Sequence, residues 1–240
     1  MGQVPSSAPY LIIGSGRLSR HLRHYFRLES IPFRHWDRDS DTSLEHALPS
    51  CGTVLLLISD DAIPGFLERH ARAHPARWIH CSGSLSSELA DCAHPLMLFG
   101  DELYDHEVYR TMPFVCERGR RQLPELLPEL ANPHAAVAPE HKPLYHALCA
   151  LGGNFTTLLW RKVLDDAESR LGLPRKLFYL YLEQVVRNLE HGAGTVTGPL
   201  ARGDEGTIAR NLEALAGDPF QGVYEAFVAA YRSQNQPRPT

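Results

Sequence analysis

Apolar positions along the chain change their period once, and that change divides it in two. In the first half, short apolar runs alternate with stretches where apolar residues recur every three or four positions. Tyr10-Leu11-Ile12-Ile13 reads as a first strand, and Leu18, Leu22, Tyr25 and Phe26 then share one face of a helix. Ile31–Trp36 reads as a second strand, Ser43–Leu48 as a short helix and Thr53–Ile58 as a third strand. The unbroken aliphatic run of that third strand suits a parallel sheet covered on both faces. Ser59-Asp60-Asp61 opens a helix running to about His74, with Asp60 or Asp61 as its cap. Trp78–Cys81, Ala93–Phe99 and Pro113–Cys116 read as three more strands, and Arg120–Leu130 as a helix. Pro133–Pro143 is turn-rich and marks a boundary. Beyond it the period is helical: His141–Leu171, interrupted at Gly152-Gly153, then Pro174–His191, Ile208–Leu215 and Val223–Tyr231. Gly192–Gly206 is a glycine-rich loop, and Gln234–Thr240 reads as a frayed tail. The pattern predicts an α/β domain with a mostly parallel sheet over 1–137 and an all-α domain over 138–240.

The junction between the first strand and the first helix carries chemistry. Gly14-Ser15-Gly16-Arg17-Leu18-Ser19 follows Ile13 directly and opens the helix. A strand, a tight glycine turn and a helix N-terminus form a Rossmann-like site for a dinucleotide pyrophosphate. Gly14 permits the turn, Gly16 lets the backbone approach phosphate, and Ser19 takes the third glycine position, which governs helix–strand packing. Asp37 lies 23 residues after Gly14, at the end of the second strand, where an acid bonds the adenosine ribose. Arg38 beside it suits the 2′-phosphate of NADP. Asp37 argues for NAD and Arg38 for NADP; Arg17, inside the turn, tips the balance toward NADP. The competing reading makes all three solvated loop charges.

Composition narrows the class. The chain has 240 residues, 43% hydrophobic and 22% charged, with a net charge of −4, so no basic field points to nucleic acid. The basic residues of the first helix, Arg17 to Arg27, read mostly as a solvated face. Five cysteines without a C-x-x-C pair suit reduced thiols in a cytoplasmic protein. Met1–Pro9 lacks the charged and apolar regions of a signal peptide. The longest aliphatic run, Val54–Ile58, is too short to span a bilayer.

Further motifs complete a resemblance. Trp36-Asp37-Arg38, Ser59-Asp60-Asp61-Ala62-Ile63, His80-Cys81-Ser82-Gly83, His94-Pro95-Leu96, Tyr145-His146-Ala147 with Asn154, and Thr197-Gly198-Pro199 through Arg202-Gly203-Asp204 follow the glycine turn in order. Together they resemble a family in which a Rossmann-like domain is joined to the helical domain of unknown function 2520. That family is similar in outline to pyrroline-5-carboxylate reductases, ketopantoate reductases and 6-phosphogluconate dehydrogenases. The resemblance implies NADP binding, a C-terminal domain like that of 6-phosphogluconate dehydrogenases, and a homodimer built through it. Relatives with β-hydroxyacid chemistry place a lysine one turn before an asparagine. Here Ala150 precedes Asn154, and the nearest polar residue on that face is His146, two turns back.

The residues then suggest roles. His146 is the acid/base candidate, because imidazole titrates near neutrality, and Asn154 is placed to hold a substrate oxygen or nitrogen. The competing reading of His146 is a core or interface histidine. Ser82 and Gly83 end a strand where nicotinamide or a carboxylate binds, while Ser84 or Ser86 reads equally as a helix cap. Ser59 and Asp60 meet the cofactor ribose or serve as caps. His94 lines the substrate pocket. Arg202 suits a substrate carboxylate bidentately, or belongs to a structural turn in which Asp204 caps the next helix. His80, Cys81, Cys92 and His94 lack a zinc spacing. The expectation is an NADP-dependent reductase of a small keto- or imino-acid, with NAD as the alternative cofactor and no membrane or nucleic-acid partner. The alternatives are a non-catalytic dinucleotide sensor or assembly protein, and a binder of another nucleotide or a deazaflavin.

Overall fold

The computed structural model describes residues 9–192 and 196–235. The segment before Pro9, part of the glycine-rich loop and most of the expected tail lie outside the described residues. By compactness the chain divides into Met1–Lys162 and Val163–Thr240.

The first unit is built on a seven-stranded sheet. Its elements run β1 (Tyr10–Ile13), α1 (Arg17–Leu28), β2 (Phe33–Trp36), α2 (Leu44–Ala47), β3 (Thr53–Leu56), α3 (Ile63–His70), β4 (Arg77–His80) and β5 (Asp91–Pro95). Then follow α4 (His106–Thr111), β6 (Phe114–Glu117), α5 (Leu123–Leu126), β7 (His134–Val137) and α6 (Lys142–Cys149). The strand order is β2-β1-β3-β4-β5-β6-β7. Strands β1 to β5 pair in parallel, β6 is antiparallel to β5, and β7 is parallel to β6. The chain crosses over between β2 and β3, so the carboxyl ends of β1 and β3 lie side by side at the point where the winding reverses. This is the Rossmann-like arrangement expected from the sequence.

Strand alternation sets two cores. Tyr10, Ile12, Leu55 and Ile79 face Leu22, Tyr25 and Phe26 of α1. Leu11, Ile13, Val54 and Leu56 face the opposite layer, with Leu44, Leu67 and Trp78. Both faces are dry, which is why β1 and β3 carry no polar alternation.

The structure corrects several local expectations. The fifth strand is Asp91–Pro95, two residues earlier than expected. The expected helix over 120–130 is a single turn, α5. Residues 82–90 form bends and a turn, so neither Ser84 nor Ser86 caps a helix. The segment after Ser59 begins as a 3-10 turn, Asp60–Ala62, without a side-chain cap. His21 is fully buried and not part of a solvated face: it bonds the Tyr109 hydroxyl at 2.7 Å and the Gly100 carbonyl at 3.0 Å. Helix α4 and strand β7 were not foreseen.

A π-helical stretch, Ala150–Phe155, joins α6 to α7 (Thr156–Leu171) and contains both Gly152 and Gly153. Its i→i+5 bonding advances the chain less per residue than an α-helix. The spacing of His146 and Asn154 therefore no longer fixes a common face. The second unit continues with α8 (Arg175–Glu190), α9 (Pro199–Arg202), α10 (Glu205–Ala214) and α11 (Phe220–Asn235). Asp204 caps α10 as expected, accepting from the Thr207 N–H at 3.0 Å. Among the described residues no helix is long and apolar enough to cross a membrane.

One buried side chain ties α1 to the far half of the sheet. Asn132 accepts from the Tyr25 hydroxyl at 2.7 Å and donates to the carbonyls of Tyr109 and Met112 at 2.7 and 2.9 Å. Asn132→Leu leaves the Tyr25 phenol and the Met112 carbonyl without partners. It is expected to cost about 2–4 kcal/mol in denaturant unfolding; a loss below about 0.5 kcal/mol would show that these bonds do not hold α1.

Candidate active site at the carboxyl ends of the strands

The glycine turn is held by a crowded carbonyl and an occluded α-carbon. Gly14 adopts φ +122°, and a Cβ there would lie 2.1 Å from the Leu57 carbonyl oxygen. Only glycine fits. The Gly14 N–H donates to the Trp36 carbonyl at 2.9 Å, tying the turn to the end of β2. The Gly14 carbonyl accepts twice, from the Ser19 hydroxyl at 2.5 Å and from His35 Nε2 at 2.9 Å. A carbonyl only accepts, so Nε2 of His35 carries the proton and Nδ1 faces the Arg23 guanidinium as acceptor, at 3.1 Å. Ser19, in place of the third glycine, thus adds a bond back to the turn from a fully buried position.

Gly16 is the N-cap of α1, and a Cβ there meets nothing within 4 Å. No side chain caps α1 and its first turn carries no acid. The N–H groups and dipole of this end are available to an anion, and the cradle fits a pyrophosphate. Arg17 lies beside it, 3.4 Å from the exposed Asp101, a loose pair that costs little to break. Leu18 packs on the core below. Asp37 is committed to its own turn: Oδ1 accepts from the Ser40 hydroxyl at 3.0 Å and the Asp39 N–H at 3.1 Å. Arg38, next along, is exposed.

A second cluster sits at the ends of β4 and β5. Asp60 Oδ2 accepts from the hydroxyls of Ser82 at 2.7 Å and Ser84 at 3.1 Å, which joins the loops after β3 and β4. Ser59 is exposed at the start of that turn. Gly83 is pressed against two imidazoles. A Cβ there would lie 2.9 Å from Cδ2 of His146 and 3.1 Å from Nε2 of His94. The Tyr145 hydroxyl bonds Nδ1 of His94 at 2.7 Å. The two histidine rings stand 6.3 Å apart, nearly perpendicular. Burial, followed by the charges of His146 and Lys142, lowers His94 to about 4. His146, by contrast, is exposed.

The sequence reading missed the support beneath this cluster. Lys142, at the start of α6, is buried, with Nζ 3.6 Å from the buried Glu117 carboxylate at the end of β6. Neither Lys142 Nζ nor Nε2 of the fully buried His80 has a hydrogen-bond partner. His80 accepts through Nδ1 from the Ser82 N–H at 3.3 Å, so Nε2 carries its proton. Burial first and the Lys142 charge second lower His80 to about 4. The partners in these pairs are far apart in sequence and only the sheet joins them.

Asn154 lies exposed in the π-helical stretch. Arg202 is exposed at the end of α9, before Gly203 in a left-handed conformation. The structure thus gathers Ser82, Gly83, His94 and His146, and separately Gly14 to Leu18 with the end of β2. Among the described residues no group of three or more His, Cys, Asp or Glu side chains is placed to hold a metal. A cavity of about 510 Å³ lies elsewhere, among Gly52, Arg77, Asp91 and Arg120. Asp91 there is already bonded by Arg120 and Arg121, at 3.1 Å each.

Comparison with known proteins places this geometry. Residues 116–231 match the model of a domain of unknown function, DUF2520. No curated protein matches the sequence. Solved structures do match the fold. A candidate NADP oxidoreductase of Bacteroides fragilis aligns at TM-score 0.76 and 18% identity, over 95% of this chain and 98% of its own. An imine reductase of Streptomyces aurantiacus aligns at 0.63 and 17%, over 94% and 93%. The pyrroline carboxylate reductase of Plasmodium falciparum, with NADP bound, aligns at 0.55 and 12%, over 95% and 98%.

The buried His80 and the half-buried His94 give a pH signature. His80 and His94 fold as neutral rings near pKa 4, against 6.5 when unfolded. Between those values the unfolded chain binds more protons. Stability is therefore expected to be level above pH 6.5 and to fall as pH drops from 6.5 toward 4. The slope is roughly 1.4 kcal/mol per pH unit for each histidine. Denaturant unfolding at pH 7 and pH 5 checks this, and equal stabilities would contradict it.

Proposed function

We propose that the protein is an NADP-dependent oxidoreductase that reduces a small keto- or imino-acid and works as a homodimer through its helical region. One observation carries the reading. At the β1–α1 junction an obligate glycine, an open Gly16 and an uncapped, acid-free helix end make a cradle for a pyrophosphate. The likeness to NADP-linked reductases supports it. Asp37 holds its own turn through Oδ1 while Arg38 stands exposed beside it, a charge that suits a 2′-phosphate.

A bound dinucleotide supplies hydride. The protein supplies the proton and the orientation. His146 is exposed and free to exchange protons with water, so it gives the proton to the reduced group and is recharged from solvent. Ser82 and Gly83 line the strand end against which the nicotinamide packs. His94 faces the same place. Asn154 and Arg202 are polar groups open to a substrate, the latter to a carboxylate. Leu177, Leu180 and Leu189 are each more than half exposed on the 16-residue α8, an apolar surface that a second copy would cover.

The alternative is a protein that binds the dinucleotide without turnover. The alanine at position 150, one turn before Asn154, favours it. His146→Ala is expected to abolish NADPH oxidation with the keto- or imino-acid while leaving cofactor affinity unchanged. Arg38→Ala is expected to weaken NADPH by roughly tenfold, about the worth of one charge-assisted bond, and to leave NADH untouched. Normal turnover by the His146 variant would remove that residue from the mechanism. Oxidation of NADPH by no member of a keto- and imino-acid panel, with tight binding retained, would support the sensor.

A further inference from the structure

We propose that Tyr145 locks His94 as the tautomer protonated on Nε2, so that the strand-end site offers a hydrogen-bond donor to a neutral carbonyl or imine and disfavours a cationic iminium. This deepens the reductase reading and rests on it for the substrate class, but the tautomer lock stands on the chain's own geometry.

The two ring nitrogens of His94 face different partners. Nδ1 meets the Tyr145 hydroxyl at 2.7 Å, and the rings stand at 86°. The edge that carries Nε2 faces Gly83, where a Cβ would stand 3.1 Å from that nitrogen. Tyr145 has one proton to give and two neighbours, His94 and the Cys149 thiol one turn along α6. Imidazole nitrogen is the stronger acceptor and a thiol only a weak one, so the phenol donates to Nδ1 and accepts from sulfur. The neutral ring then keeps its proton on Nε2. Burial keeps it neutral, with His146 and Lys142 adding to the effect.

The surroundings are rich in donors. His80 Nε2–H and Lys142 Nζ are buried nearby without hydrogen-bond partners. The two acids close to them are already engaged: Asp60 accepts from Ser82 and Ser84, and Glu117 faces Lys142. A cationic C=N–H⁺ group would add a further donor and a positive charge to a place that already holds the Lys142 ammonium. A carbonyl oxygen or an imine nitrogen brings a lone pair to meet these donors. In the reaction the substrate carbon gains the hydride, the C=O or C=N π pair takes the proton from His146, and His94 keeps its own proton throughout. Tyr145 is accordingly a positioning residue and His94 the group that touches substrate.

The test is nitrogen-15 NMR of the histidine rings in the full-length protein at pH 7, without cofactor. The expected spectrum shows His94 with a protonated Nε2 and a bare Nδ1. In Tyr145→Phe a second population with the proton on Nδ1 is expected, while NADPH affinity changes less than twofold. A wild-type ring protonated on Nδ1, or on both nitrogens, overturns the lock. So does a Tyr145→Phe ring that keeps the pure Nε2–H form. The wild-type spectrum decides even if the variant does not fold. With NADP⁺ present, pyruvate is expected to bind up to about tenfold tighter than the fixed cation 1-methylpyrrolinium, the worth of one hydrogen bond. A cation that binds as well as pyruvate overturns the substrate class. Failure of NADPH to bind at all would instead sink the reductase reading and leave the tautomer result standing.

Discussion

The α-carbon of Gly14 lies so close to the Leu57 carbonyl that no side chain fits between them, and the architecture of the cofactor cradle follows from that approach. Because the turn is pinned to the strand after it, β1 and β3 present their carboxyl ends together. The Gly14 N–H fixes the end of β2, and its carbonyl gathers Ser19 from α1 and His35 from β2. Three strand ends and one helix start are therefore set by a single residue. Its polar groups are fully used inward, which leaves the next N–H groups of α1 facing outward.

The second focus is built on the opposite principle. Around His94 the chain buries the donors His80 Nε2 and Lys142 Nζ without hydrogen-bond partners. Burying an ammonium beside a carboxylate stabilises little on its own, since desolvation offsets the attraction. What the Lys142–Glu117 pair does is join the first turn of α6 to the end of β6, inside one compact unit. Tyr145 and His146 ride on that same helix, so the ion pair fixes where their side chains meet the strand ends. On the proposed reading, a neutral, half-buried His94 orients the substrate and an exposed His146 supplies the proton.

Much of this was legible in the residues. The apolar run Tyr10–Ile13, the glycine turn and the Leu22, Tyr25 and Phe26 face gave β1, the cradle and α1, because one strand and one helix are local patterns. The break at Gly152-Gly153 was also visible, though not its π-helical form. Strand β7 was not: His134 and Ala135 are exposed at the edge of the sheet, so no apolar run marks it. Helix α4 is short and polar, and only Tyr109 of its residues is buried. The ion pair of Glu117 with Lys142 and the bond of His94 with Tyr145 join residues separated by a strand and several turns. No spacing rule reaches that far, since the pairing depends on the strand order.

On the proposed reading, the outward N–H groups of the glycine turn bind the pyrophosphate of NADP. The most direct measurement follows the backbone amide resonances of Gly16, Arg17 and Leu18 during titration with NADPH. These three are expected to shift together and saturate with the cofactor, ahead of amides on the opposite edge of the sheet. Saturable binding that leaves all three unmoved would place the dinucleotide elsewhere and contradict the account.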